Sequence, residues 1–228
     1  MRKTPRSGAP RALIAWSSGK DSAWALYEVR RSGEFEIVGA LTTVTEPFNR
    51  VSMHGVRQEL VRLQVEAAGL RPIVVHIPSP CSNEVYERKM AAAMSAARGS
   101  GVTHVIFGDL FLEEVRKYRE RQLAGTGIAP VFPLWGRQTS ALAREMIDAG
   151  VEANLCTVDL AKLPASYAGR RFDNALLDAL PPGADPCGEN GEFHTFVSAG
   201  PMLSQKLAFK AGETVERDGF AFAELLPV

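Results

Sequence analysis

Six consecutive residues, Ser17-Ser18-Gly19-Lys20-Asp21-Ser22, put hydroxyls, an ammonium, a carboxylate and a glycine at one turn of the chain. Backbone N–H groups and the positive end of a following helix would converge there, so the stretch reads as a cradle for phosphate. Gly19 permits a left-handed turn or close backbone approach, and Asp21 or Ser22 is placed to cap the helix. Two other groups carry chemistry. Gly108-Asp109 ends an apolar run, and Asp109 either binds magnesium or a substrate group or caps the next helix. Cys187 to His194 gathers Glu189, Glu192 and His194 around Asn190-Gly191, either as substrate ligands on a loop or as a hairpin turn with its acids in solvent. On the helix after Asp109, Glu113, Arg116 and Glu120 share a face with Arg119 beside them, which is either a solvated salt-bridged face or the start of a substrate surface. A serine-rich turn that merely caps a helix is the plain alternative for residues 17–22.

These groups need a scaffold, and the hydrophobic pattern supplies one. Ala12 to Trp16 is apolar without alternation, as in a buried strand of a parallel sheet, and the helix after it runs through Trp24, Leu26 and Tyr27. Phe35 to Thr42, Pro72 to Ile77 and Thr103 to Phe107 read as further strands, with Val131 to Leu134 as a fifth. Between them, Val56, Leu60, Leu63, Ala67 and Leu70, then Tyr86, Met90, Ala93, Met94 and Ala97, recur at helical spacing, and Phe111 to Ala124 is charged but periodic. Strands separated by single helices predict an α/β, doubly wound parallel sheet whose ligands sit at the carboxyl ends of its strands. Beyond Gly136 the pattern shifts: a capped helix over 139–149, a strand over 151–158, an irregular stretch, a helix over 171–180, and a loop feeding a strand near Val197. The expected organisation is a flexible tail over 1–10, a domain over 11–135 that carries the phosphate cradle, and a smaller α/β domain over 136–228.

Composition excludes several classes. Twenty-six basic and 26 acidic residues give the 228-residue chain a formal net charge of +0, so it has no global footprint for nucleic acid or an anionic membrane. The basic cluster Arg2, Lys3, Arg6 and Arg11 is broken by Pro5 and Pro10, lacks the apolar segment of a secretory signal, and is expected to be a solvated leader. Cys81, Cys156 and Cys187 are scattered and unpaired, which points to a reducing cytoplasm and away from structural zinc. Cys187 reads as a buried thiol.

The kind of phosphate site follows by elimination. A Walker A loop would need Gly at position 14 and Ser or Thr at 21, where Ile14 and Asp21 stand, and a dinucleotide fingerprint would need three spaced glycines where there is only Gly19. The remaining pattern resembles the PP-loop of the ATP pyrophosphatases, with Ser18 in place of a glycine. With Ser52-Met53-His54, Gly108-Asp109, Pro133-Leu134-Trp135 and the run from Cys187 to Phe196, the chain from about position 12 to 201 resembles the diphthine–ammonia ligase family. Asn190 stands where that family usually has Gly, and His194 where it often has Glu.

The resemblance implies a HUP-like PP-loop fold and an AMP- and pyrophosphate-forming ligation using ATP and Mg2+. The domain over 11–135 would be the PP-loop ATP-binding domain and that over 136–228 the substrate domain, with ATP on Ser17, Ser18, Gly19, Lys20, Asp21 and Ser22, Thr42, His54 and Gly108 around it, and Mg2+ on Asp21 and Asp109. Lys20, Asp21, Asp109, Glu189 and Glu192 would be catalytic, and Arg116, Arg119, Glu189, Asn190, Glu192 and His194 would meet the acceptor and ammonia. The acceptor would be diphthine on elongation factor 2 or the carboxylate of a small metabolite, with no membrane or nucleic acid partner and a homodimer as the assembly. A tRNA-modifying PP-loop enzyme and a non-catalytic adenine-nucleotide-binding protein are the competing functions.

Overall fold

The structure is a computed structural model that describes residues 4–52 and 54–228; Arg2 and Lys3 of the basic tail and Met53 of the Ser52-Met53-His54 motif lie outside the described residues. The first half runs β1 (Arg11–Ala15), α1 (Lys20–Ser32), β2 (Glu36–Thr45), β3 (Arg50–Val51), α2 (Gln58–Ala67), β4 (Pro72–Ile77), α3 (Asn83–Gly99), β5 (Val102–Ile106), α4 (Glu113–Leu123) and β6 (Ala129–Val131). Five of these strands are parallel, in the order β4-β2-β1-β5-β6. This is the doubly wound α/β arrangement that the alternating periods predict, and it is consistent with the HUP-like fold that the resemblance implies. Its central strand β1 carries Ala12, Leu13 and Ile14 at no more than 1% exposure, and burying each large apolar side chain contributes about 1.5–3 kcal/mol.

The small strand β3 went unread in the sequence. It pairs antiparallel with Val44 and Thr45 of β2, beyond Leu41, where β1 stops. Two residues are too short to leave a period. The expected fifth strand is displaced to Ala129–Val131, with Pro133-Leu134-Trp135 in the turn after it.

The second half contains α5 (Thr139–Asp148), β7 (Glu152–Asp159), α6 (Asn174–Ala179), β8 (Phe193–Ala199), β9 (Phe209–Arg217) and β10 (Phe220–Pro227). Its sheet is antiparallel, ordered β8-β7-β10-β9. The helix expected over 171–180 contracts to α6, because Asp173 turns out of the helix and its side chain accepts the Leu176 N–H at 2.9 Å. The expected cap on α5 is absent: Gln138 makes no side-chain capping bond. One buried cluster runs from Ala12, Trp24 and Leu60 through Leu142 and Leu155 to Phe196 and Leu225, so the two sheets share a core. No helix among the described residues is long and apolar enough to cross a membrane.

Candidate active site

The loop after β1 and the end of β5 meet at close range. A Cβ on Gly108 would lie 2.7 Å from the Asp21 carbonyl carbon and 2.8 Å from Ser22 N, so only glycine lets the strand end reach the start of α1. That contact brings Asp109 into the lining of a cavity of about 450 Å³, lined also by Ser17, Lys20, Asp21 and Ser22, by His54, and by Glu189 and His194 from the second half. Its other wall is apolar, made by Leu41, Tyr86, Met90, Met94, Phe107 and Val115.

The phosphate loop is held in a way the sequence did not suggest. Gly19 is the residue before α1 and makes no side-chain cap, so neither Asp21 nor Ser22 caps the helix; the Ser22 hydroxyl donates to the Gly19 carbonyl at 3.0 Å. Instead Thr195, on β8, accepts the Lys20 N–H at 3.0 Å, and the Val197 N–H donates to the Ser18 carbonyl at 3.0 Å. The left-handed turn open to Gly19 falls instead on Ser18, with φ 77°, while Gly19 is extended at φ -85°. His54 covers the loop, its Cε1 2.9 Å from where a Gly19 Cβ would be, and its Nδ1 hydrogen-bonds the Thr195 carbonyl at 3.2 Å. A carbonyl only accepts, so Nδ1 carries the proton and Nε2 is left as an acceptor. The His54 and His194 rings stack 4.5 Å apart, and burial pushes both down, His54 well below the usual histidine range and His194 to about 4. Two neutral imidazoles cover the loop at neutral pH.

Lys20 is 1% exposed and does not extend freely into the cavity. Its ammonium contacts both Asp21 carboxylate oxygens, at 2.8 and 2.9 Å, and donates to the Cys187 carbonyl, with the Phe172 and Phe193 rings at 5.4 and 5.6 Å. Burial is the largest influence and alone would favour loss of its proton, but the charge and hydrogen bonds of Asp21, together with Cys187 and Glu189, outweigh it and raise its pKa.

The remaining acids separate. Asp109 does not cap α4, which follows Leu112 without a side-chain cap. Its Oδ2 lies 3.6 Å from Arg119 Nε, an ion pair too long for a hydrogen bond, and both atoms are buried without another partner. Burial raises its pKa against the pull of Arg119. Glu189 points into the cavity and accepts the Leu110 N–H at 2.7 Å; burial raises it to about 7, with the negative charges of Asp21 and Asp109 adding to the effect.

Glu192 turns the other way. It is 3% exposed, does not line the cavity, and accepts the Asp185 N–H at 2.8 Å and the Asn190 side chain at 3.2 Å. Asn190-Gly191 is no hairpin turn: Gly188 N–H bonds Asp185 O and Gly191 N–H bonds Gly188 O, two successive turns within one loop. Asn190, exposed, is outside the cavity lining, as is Thr42, whose hydroxyl donates to the Trp16 carbonyl at 2.8 Å. Arg116 is outside it too; its guanidinium lies 5.0 and 4.8 Å from the Phe132 and Trp135 rings and bonds Glu120. Arg119 lines the cavity. Burial pushes the Cys187 thiol up to about 12 and the thiol donates to the Thr139 carbonyl, so it is no thiolate nucleophile.

Sequence reasoning missed Thr195 and Asp185, whose carboxylate accepts the Cys187 and Glu189 N–H groups. Both sit in or beside the motif block, and only the fold shows what they bond. Among the described residues no three His, Cys, Asp or Glu side chains cluster as a metal cage. The carboxylates of Asp21 and Asp109 are of the type magnesium takes, one or two beside phosphate and water; Asp109 Oδ2 makes no hydrogen bond, while both Asp21 oxygens are held by the Lys20 ammonium.

Fold and loop together define a PP-loop α/β protein with a second, antiparallel sheet closing over the loop. Residues 10–130 match the diphthamide synthase N-terminal domain and residues 138–223 the diphthamide synthase C-terminal domain, so the chain belongs to the diphthamide synthase family. It is 28% identical over 227 residues to the diphthine–ammonia ligase of Danio rerio, covering 91% of this chain and 89% of that protein. Over 101 residues it is 31% identical to the Homo sapiens and 32% to the Rattus norvegicus diphthine–ammonia ligases, each alignment covering 42% of this chain and 38% of the relative.

Proposed function

We propose that this protein is an ATP-dependent carboxylate–ammonia ligase of the diphthine–ammonia ligase type. The observation that carries the reading is the meeting of residues 17–22 with Asp109 and Glu189 at one cavity, through the glycine contact at Gly108. The apolar wall suits an adenine ring, and Ser17, Ser22 and the loop amides suit its phosphates.

In this reading an acceptor carboxylate attacks the α phosphorus and pyrophosphate leaves; ammonia then attacks the acyl carbon and AMP leaves. Charge grows on the α phosphate and on pyrophosphate, so preorganised donors around them lower the barrier. Asp21 and Asp109 would hold magnesium, which supplies charge neutralisation along the phosphate chain. Arg119 adds a guanidinium on the same side. Glu189, poised near neutrality, takes the proton that the attacking nitrogen loses. Asn190 and Glu192 support this loop from behind, and His194 with His54 shields the phosphate loop from water.

The acceptor is diphthine on elongation factor 2 or a small carboxylate, with free ammonia as donor, in the cytoplasm. Supplying 15N-ammonium with ATP and either purified diphthine-bearing elongation factor 2 or a metabolite extract tests this. Nitrogen-15 in one carboxamide product supports it and names the acceptor. ATP binding with no labelled amide from either source favours a nucleotide sensor, and turnover only with RNA favours a tRNA-modifying enzyme.

A further inference from the structure

Gln64 lies on α2 among Leu60, Val61 and Val65 and is fully buried. An unpaired primary amide there would be strongly destabilising, so its partners matter. Its carbonyl oxygen accepts the Trp16 indole N–H at 3.1 Å, and its amide nitrogen donates to the Ser18 carbonyl at 3.0 Å and the Val197 carbonyl at 2.6 Å. One side chain thus joins the end of β1, the phosphate loop and β8. The Ser18 carbonyl also receives the Val197 N–H. Ser18 itself has no means of holding its left-handed φ of 77°, because its hydroxyl is buried without a partner. The conformation is imposed from outside, and Gln64 is the side chain that grips it.

We propose that Gln64 is a positioning residue for the phosphate loop: it fixes the Ser18 carbonyl, so that the start of α1 beyond it keeps its place at the cavity, and it ties that geometry to the docking of β8. This role rests on the ATP reading above. Gln64 touches no substrate and acts through Ser18.

The test is calorimetric titration of ATP with magnesium into the wild type, Gln64→Met, Ser18→Gly and the double variant, all below their melting temperatures, with KM and kcat for AMP formation measured in parallel. Gln64→Met is expected to weaken ATP binding tenfold or more and to raise KM more than it lowers kcat. Ser18→Gly, which adopts φ 77° without being held, is expected to restore most of the lost affinity in the double variant, although its melting temperature stays low. If Gln64→Met does not fold, Gln64→Glu, which keeps the acceptor for Trp16 and loses both donors, takes its place with the same criteria. An affinity within twofold of wild type beside a fallen melting temperature, or strictly additive effects of the two substitutions, would overturn the role. No ATP binding by the wild type overturns the ATP reading, and this role with it.

Discussion

Residues 17–22 reach the cavity through a strand-to-helix turn whose functional groups are neighbours in sequence, whereas residues 185–195 reach it through a loop that spends most of its polar groups on itself. In the first region, proximity in the chain is proximity in space, since Lys20 and Asp21 pair with each other. In the second, Asp185 and Glu192 bond the loop's own amides, and of its ionisable acids and histidine it is Glu189 and His194 that line the cavity. Two acids three residues apart therefore diverge, because successive turns at 185–188 and 188–191 reverse the chain between them. A motif lists residue types; the hydrogen-bond demand of a buried loop decides which of them are free to act.

The largest expected effect tests the first region. Asp21→Asn leaves the Lys20 ammonium buried against a neutral amide, and breaking such a pair costs about 3–5 kcal/mol. Denaturant unfolding should show that loss, and the double variant Lys20→Met with Asp21→Asn should lose less than Asp21→Asn alone. Equal losses would mean that Lys20 finds its charge balance elsewhere.

The second region should then split into its two acids. Glu189→Gln keeps an oxygen for the Leu110 N–H but no longer accepts a proton, so amide formation should drop by about 10²-fold or more in steady-state assays. Glu192→Ala orphans the Asp185 N–H and should cost about 1–3 kcal/mol in unfolding free energy, more than Glu189→Gln costs. The opposite order of stabilities would reverse the assignment of the two acids.

Acidity sharpens the same contrast. Glu189 titrates near 7 when folded against an ordinary 4.5, so its carboxyl stabilises the fold fully below about pH 4.5 and that contribution is lost as pH rises through about 7. Allowing for its partial exposure, the loss is on the order of 1–2 kcal/mol. Unfolding measured from pH 5 to 8 should show this slope in the wild type and a flatter one in Glu189→Gln. The smallest effect belongs to the loop again: Ser18→Gly removes a left-handed serine and an orphaned hydroxyl, and should add roughly 0.5–1 kcal/mol of stability, read as a raised melting temperature.

Much of the parallel sheet was legible because a buried strand and an amphipathic helix leave different periods. Residues 12–16, 72–77 and 103–107 announced themselves this way, each within one residue of the strand observed. The antiparallel half was harder. The β9–β10 hairpin turns at Asp218-Gly219, both with positive φ, a dipeptide that signals a two-residue turn, but β9 is almost wholly exposed and leaves no apolar alternation to read. Glu224 on β10, held by Arg50 and Arg57 at 2.6 and 2.5 Å, joins that hairpin to the first half through contacts far apart in sequence. Of the site, the phosphate loop and Asp109 were visible as local signals. Thr195 and Gln64 were not, since each looks like an ordinary strand or helix residue until the second sheet is placed against the loop.

The most direct measurement of the central claim is incubation of the chain with α-labelled ATP, magnesium, ammonium and acceptor, followed by separation of AMP from ADP. The account predicts AMP and pyrophosphate, dependent on the acceptor. ADP in place of AMP would contradict it, because residues 17–22 would then be cleaving between the β and γ phosphates.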